Sequence, residues 1–166
     1  MFHRRNRRFA GQCQPLALMR ILELEGRGEE AVEPSVFRKR VTRFGFDEHK
    51  DAFAGFTSQM RRKHVAEGSK NLDLDVLCIS CFELRLPNVY VVMTDDPTCT
   101  PIHAFDFARV LAPSNAALQD MLASMPVVTD KTPAYVVLYD KKSKHYAVAT
   151  DGTWCSCECC FFFHLF

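Results

Sequence analysis

The chain has 166 residues, 48% hydrophobic and 25% charged, enough for one domain with a proper core and too apolar for disorder throughout. A formal net charge of +1 excludes a protein that binds nucleic acid or a membrane surface with its whole exterior. No apolar run approaches the roughly 18 residues of a membrane span, and Arg20, Glu23 and Glu25 break the stretch that would have to serve as a secretory signal.

In chain order, residues 1–8 form a basic arm whose segment HRRNRR carries four arginines. It reads as a solvated tail, with phosphate contact or localisation as the alternative. Residues 9–166 read as one domain. Pro15 suits the first turn of a helix. Leu16, Leu18, Met19, Ile21, Leu22 and Leu24 make that helix apolar almost all round, which predicts burial, and Gly26 and Gly28 end it. Ser35 is expected to cap a second helix closed at Gly45. Asp47 is expected to cap a third, with Phe53, Phe56 and Met60 on one face, RRKH on the other and Gly68 at its end. Asp73 or Asp75 caps a fourth, DVLCISCFELRL, stopped by Pro87.

Then the period changes. NVYVVMT is a β-branched and aromatic run of strand length, and DDPT is a turn. PIHAFDFARVL reads as strand then loop, and SNAALQDMLASM as a short capped helix. AYVVLYD and HYAVAT, joined by KKSK, form a hairpin. The Asp-Gly pair of TDGTW fits a type I′ turn and opens a second, whose last strand is TWCSCECCFFF. The fold class is therefore α+β, with helices in the N-terminal half packed on a small, mainly antiparallel sheet from the C-terminal half.

The default compartment is reducing, cytoplasmic or nuclear. The eight cysteines, half of them crowded at the C-terminus, then read as thiols and not as a disulfide scaffold. Cys155, Cys157 and Cys159 alternate along one strand face with Phe161 and Phe163, the pattern of a buried face. Zinc held with Cys160 and His164, or acylation and oxidation chemistry, are the alternatives. Cys78 and Cys81 form a C-x2-C inside a predicted helix and read as core, because a redox pair belongs at the helix start.

Cys13 stands differently. A thiolate at a helix N-terminus is stabilised by unpaired backbone N–H groups and the helix dipole. The same N–H groups can hold the oxyanion of an acyl-transfer intermediate. Gly11 would let a substrate backbone approach. The rival reading is a buried structural cysteine. His145 opens a strand after a turn, a place from which it can face Cys13 across a cleft; alone, it reads as an imidazole packed on Tyr146 or in solvent.

AGQCQPLAL resembles the DGNCLFRAL-type cysteine motif of the ovarian-tumour (OTU) family of deubiquitinases. DLDVLCISCFELRLPNVYVV looks like the helix and strand before that family's histidine motif, and AYVVLYDKKSKHYAVA resembles its final strand pair with a His-Tyr. The ordered set spans Phe9 to Ala149. The resemblance implies a papain-like fold and cysteine-dependent isopeptide hydrolysis of ubiquitin or a ubiquitin-like protein. Cys13 would be the nucleophile and His145 the base, with no metal or organic cofactor. A monomer is expected, acting in cytoplasm or nucleus, or in a host's cytoplasm for a viral or effector chain. Two positions depart from the family. Ala10 stands where an aspartate is common, and Ala147 where Asn or Asp often follows the histidine.

The third catalytic residue must then come from elsewhere. Counting outward from the Asp-Gly turn pairs His145 with Glu158, with Cβ atoms about 4.5–5.5 Å apart. Asp151 is nearer in sequence, but about 20 Å of straight strand separates it from His145. Either could orient the imidazole. Gln12 and Gln14 flank the cysteine as possible oxyanion donors or ordinary turn residues, and Trp154 walls the cleft or fills the core. The rival functions are another papain-like peptidase, such as a viral self-processing one, an inactive OTU-like binding module, and, more distantly, a metal-binding nucleic-acid protein.

Overall fold

The computed structural model describes residues 11–55, 59–68, 71–111 and 114–149. The basic arm, Ala10, Phe56 and everything from residue 150 onward, including Asp151, Trp154, Glu158 and the C-terminal cysteines, lie outside the described residues.

Six helices and four strands make an α+β fold among those residues. Helix α1 (Cys13–Leu24) starts at the cysteine itself, one turn's fraction earlier than Pro15 suggests, and buries all but its outer edge. It ends where Gly26 takes φ 75°, a left-handed value that glycine adopts without penalty. Helix α2 (Pro34–Thr42) places Pro34, not Ser35, at its first position, with Glu33 before it.

Gly45 does not close α2. The helix runs on into a wider π turn, Arg43–Glu48, and a Cβ on Gly45 would lie 2.5 Å from Ile79 Cγ2. The glycine is there so that this turn can press on α4. Asp47 caps nothing; its carboxylate takes a bidentate bond from Arg62, 2.8 Å for each pair. That ties the turn to α3 (Gln59–Glu67), which starts later than expected, so that buried Phe53 sits in a turn and not on that helix.

Helix α4 (Leu74–Glu83) is apolar and buried along its length. Arg85, at φ 53°, leaves it before Pro87 is reached. After β1 (Val89–Met93) and β2 (Ile102–His103), residues expected to form a loop form instead helix α5 (Asp106–Leu111). Helix α6 (Ala116–Ala123) is capped by Asn115, whose side chain accepts the Leu118 N–H at 3.0 Å. Strands β3 (Tyr135–Asp140) and β4 (His145–Ala149) form the expected hairpin.

The sheet order is β2-β1-β3-β4, and its central pairing, β1 with β3, is parallel. The sheet is therefore mixed, and the helices are not confined to the first half. The reason is connectivity: α5 and α6 intervene between β2 and β3 and supply the long crossover that a parallel pair needs. One core unites the elements, with Leu18 and Ile21 of α1, Phe37 of α2, Ile79 of α4, Val91 of β1 and Tyr146 of β4 all fully buried. Among the described residues no helix is long and apolar enough to cross a membrane.

Gly45→Ala should destabilise the fold by about 1–3 kcal/mol, because a β-branched neighbour has no free end to swing away. Urea unfolding of Gly45→Ala, and of the same change in an Ile79→Ala background where most of the cost should vanish, checks this.

Candidate active site

Cys13 is the first residue of α1, and Gln12, just before it, accepts the helix's first backbone bond, Leu16 N–H to Gln12 O at 3.0 Å. The first-turn N–H groups of Cys13 and Gln14 thus precede the helical ladder, and Pro15 has none to offer. They surround the sulfur with positive partial charge.

The approach to Cys13 is held from behind. Gly11 adopts φ 80°, a conformation that strains any side chain. Its carbonyl accepts a bond from Arg38 Nη1 at 2.8 Å. Arg38 is only 2% exposed and also donates to Val65 O at 2.9 Å and His64 O at 3.1 Å. Burial lowers its pKa from the ordinary arginine value. Carbonyls from two separate segments thus meet one buried charge, and the turn leading into the cysteine is fixed.

Helix α1 packs against β4, and this brings its N-terminus to the start of that strand. Cys13 Sγ lies 3.2 Å from His145 Nδ1, across 132 residues of sequence. This is hydrogen-bond range for sulfur, the distance at which an imidazole can take a thiol proton. Cys13 itself is fully buried and His145 half-buried. Burial lowers the His145 pKa from its ordinary 6.5, and the charge of Asp140 works in the opposite direction. Burial thus favours the neutral ring, the form that accepts a proton.

Asp140 faces His145 directly across the hairpin. Its two oxygens are engaged by the turn, accepting from Lys142 N–H at 3.3 Å, Ser143 N–H at 3.2 Å and the Ser143 hydroxyl. The Ser143 bond, above all, lowers its pKa, so Asp140 stays ionised and acts on the imidazole through its field. The turn is anchored from outside by Asn71, whose Nδ2 donates to Ser143 O at 3.0 Å.

Of the residues singled out from sequence, Cys13, His145, Gly11 and Gln12 meet in one place. Gln12 makes no side-chain cap bond. Gln14 is not a surface residue, and its side-chain amide is engaged elsewhere. It is 1% exposed, and its amide Nε2 donates to Asp73 O at 3.0 Å. Ala147 is half-buried opposite Leu138 and brings no polar group to the ring. Glu158, Asp151 and Trp154 lie outside the described residues.

Arg38, Asp140 and Asn71 build the site without a strong local signal in the sequence. Asp140 was within reach, since counting across KKSK as across Asp-Gly sets it opposite His145. Arg38 had a weak signal, a cation between the apolar Phe37 and Val41 of one helix.

The other cysteines of the described chain stand apart. Cys78 and Cys81 are fully buried in α4; burial pushes the Cys78 thiol up to about 12 and the Cys81 thiol well above its usual value. Both are inert core residues. Among the described residues no three His, Cys, Asp or Glu side chains gather as a metal site. Comparison with protein-family models, with curated proteins and with solved structures returned no significant match.

Arg38→Met should cost on the order of 3 kcal/mol, since charge-assisted bonds are lost and buried carbonyls are left unsatisfied; denaturant unfolding measures it. The His145 ring should titrate below 6.5 by NMR, and Asp140→Asn should lower the midpoint further by removing the carboxylate that favours the charged ring. Because the folded pKa lies below the unfolded one, the ring's share of stability is complete above about pH 6.5 and is lost as pH falls toward the folded value.

Proposed function

We propose that the protein is a thiol-dependent hydrolase of papain-like, OTU-like design that cleaves linkages of ubiquitin or a ubiquitin-like protein. One observation carries the hydrolase reading: a cysteine at a helix N-terminus lies 3.2 Å from an imidazole nitrogen 132 residues away. The ordered resemblance of the three segments between Phe9 and Ala149 to OTU deubiquitinases directs the reading toward ubiquitin.

In this mechanism Nδ1 of neutral His145 takes the Cys13 proton as Sγ attacks the scissile carbonyl. The tetrahedral oxyanion is met by the first-turn N–H groups of Cys13 and Gln14, with the Gln12 amide beside them. His145 then returns the proton to the leaving amine. Water, deprotonated by the same ring, hydrolyses the thioester and frees the sulfur. Since Nδ1 serves the sulfur, the orienting acid must hold Nε2. Glu158 and Asp151 are the candidates for that role.

The full burial of Cys13, together with apolar Ala147, favours a second reading: a module that keeps this fold to bind a partner without turnover. Ubiquitin carrying a thiol-reactive C-terminal warhead separates the two. Wild type should form a covalent adduct, Cys13→Ala none, and His145→Ala should react about 10²-fold or more slowly. Glu158→Gln and Asp151→Asn then identify the third residue. No adduct from folded wild type would sink the ubiquitin reading, and peptide cleavage would decide between another papain-like peptidase and the binding module.

A further inference from the structure

The residue after the nucleophile and the residue after the base are both buried, and both reach the same piece of backbone. Gln14, 1% exposed, donates from Nε2 to Asp73 O at 3.0 Å. Tyr146, fully buried, donates its hydroxyl to Leu72 O at 2.8 Å. One residue upstream, Asn71 Nδ2 holds Ser143 O at 3.0 Å, and Asp73 pairs with Lys144 Nζ at 2.8 Å. Two consecutive carbonyls thus receive one bond from each side of the Cys13–His145 pair, and the flanks of the same segment grip the turn that presents His145.

The segment itself cannot drift. It leads straight into α4, and Leu72 is buried in the core. Arg61 pairs with Asp75 and Asp73 beside it. A rigid backbone that two neighbours share fixes the separation of what those neighbours carry, in the way that second groups behind a site hold its reacting atoms in place.

We infer that residues 71–73 are a clasp setting the Cys13–His145 distance, with Gln14 and Tyr146 as positioning residues. This rests on the hydrolase reading above and adds to it the device that keeps thiol and imidazole in reach before substrate arrives. It assigns Gln14 a task away from the oxyanion, and it explains why a tyrosine hydroxyl is buried at a cost that only a partner can offset.

The test is the pH profile of Cys13 alkylation by iodoacetamide on the intact protein, read on the Cys13 peptide by mass spectrometry. In wild type a His145-dependent arm should appear, with its midpoint below 6.5, beneath a separate His145-independent thiolate arm at higher pH. The ratio of the two arms is internal to each protein, so changes in access to the buried sulfur cancel. Tyr146→Phe keeps the ring and loses only the hydroxyl; Gln14→Met keeps the length and loses the amide. Each should shrink the low-pH arm relative to the thiolate arm by about tenfold, a fraction of the roughly 10²-fold that an ångström of misplacement can cost. Ser80→Ala removes a comparable buried bond, Ser80 Oγ to Val76 O at 2.7 Å, away from the site and should leave the ratio unchanged. A wild-type ratio in both Tyr146→Phe and Gln14→Met overturns the clasp while the hydrolase reading stands. Absence of any His145-dependent arm in wild type overturns both.

Discussion

A guanidinium sealed inside a protein must find acceptors for its N–H groups, because the cost of an unpaired buried charge exceeds what a small domain can absorb. Arg38 meets this demand with the carbonyls of Gly11, His64 and Val65. In doing so it draws the end of α3 and the approach to α1 onto one face of α2. The starting point of α1 follows from that, and with it the place of Cys13. Arginine suits the task where lysine would not, since its planar fork reaches several acceptors at once.

The electrostatics around the pair are those of a thiol beside a neutral base. The helix terminus favours negative charge on sulfur, yet burial disfavours charge on the imidazole, and the field of Asp140 offsets this only in part. The charged groups nearby are used structurally. Asp140 closes its turn, while Asp73 is shared between Lys144 and Arg61.

Position along the strand separates two functions in neighbouring residues. β4 alternates, so Tyr146 and Val148 face the core while His145 and Ala147 face the other way. Tyr146 packs on Tyr139, with ring centroids 4.7 Å apart, and reaches Leu72 O. His145, one residue earlier, meets the sulfur. The period of two that buries one side chain is what turns its neighbour toward the sulfur.

Much of this was legible in local pattern. The apolar run after Cys13 marked a buried helix, NVYVVMT and the AYVVLYD/HYAVAT pair marked strands, and SNAALQDMLASM marked a short capped helix, because each rests on periodicity or turn chemistry confined to a few residues. The α+β class and the pairing of Cys13 with His145 as candidates also came from the chain alone. Gly45 looked like a stop and is a contact with Ile79; Asp47 looked like a cap and is a partner of Arg62; a presumed loop is α5. In each case the residue's role is set by a neighbour distant in sequence, which local propensity cannot register. The parallel central pairing, the burial of Arg38 and Gln14, and the 3.2 Å between sulfur and imidazole were decided by tertiary packing alone, since only the folded chain brings α1, residues 71–73 and β4 to one point.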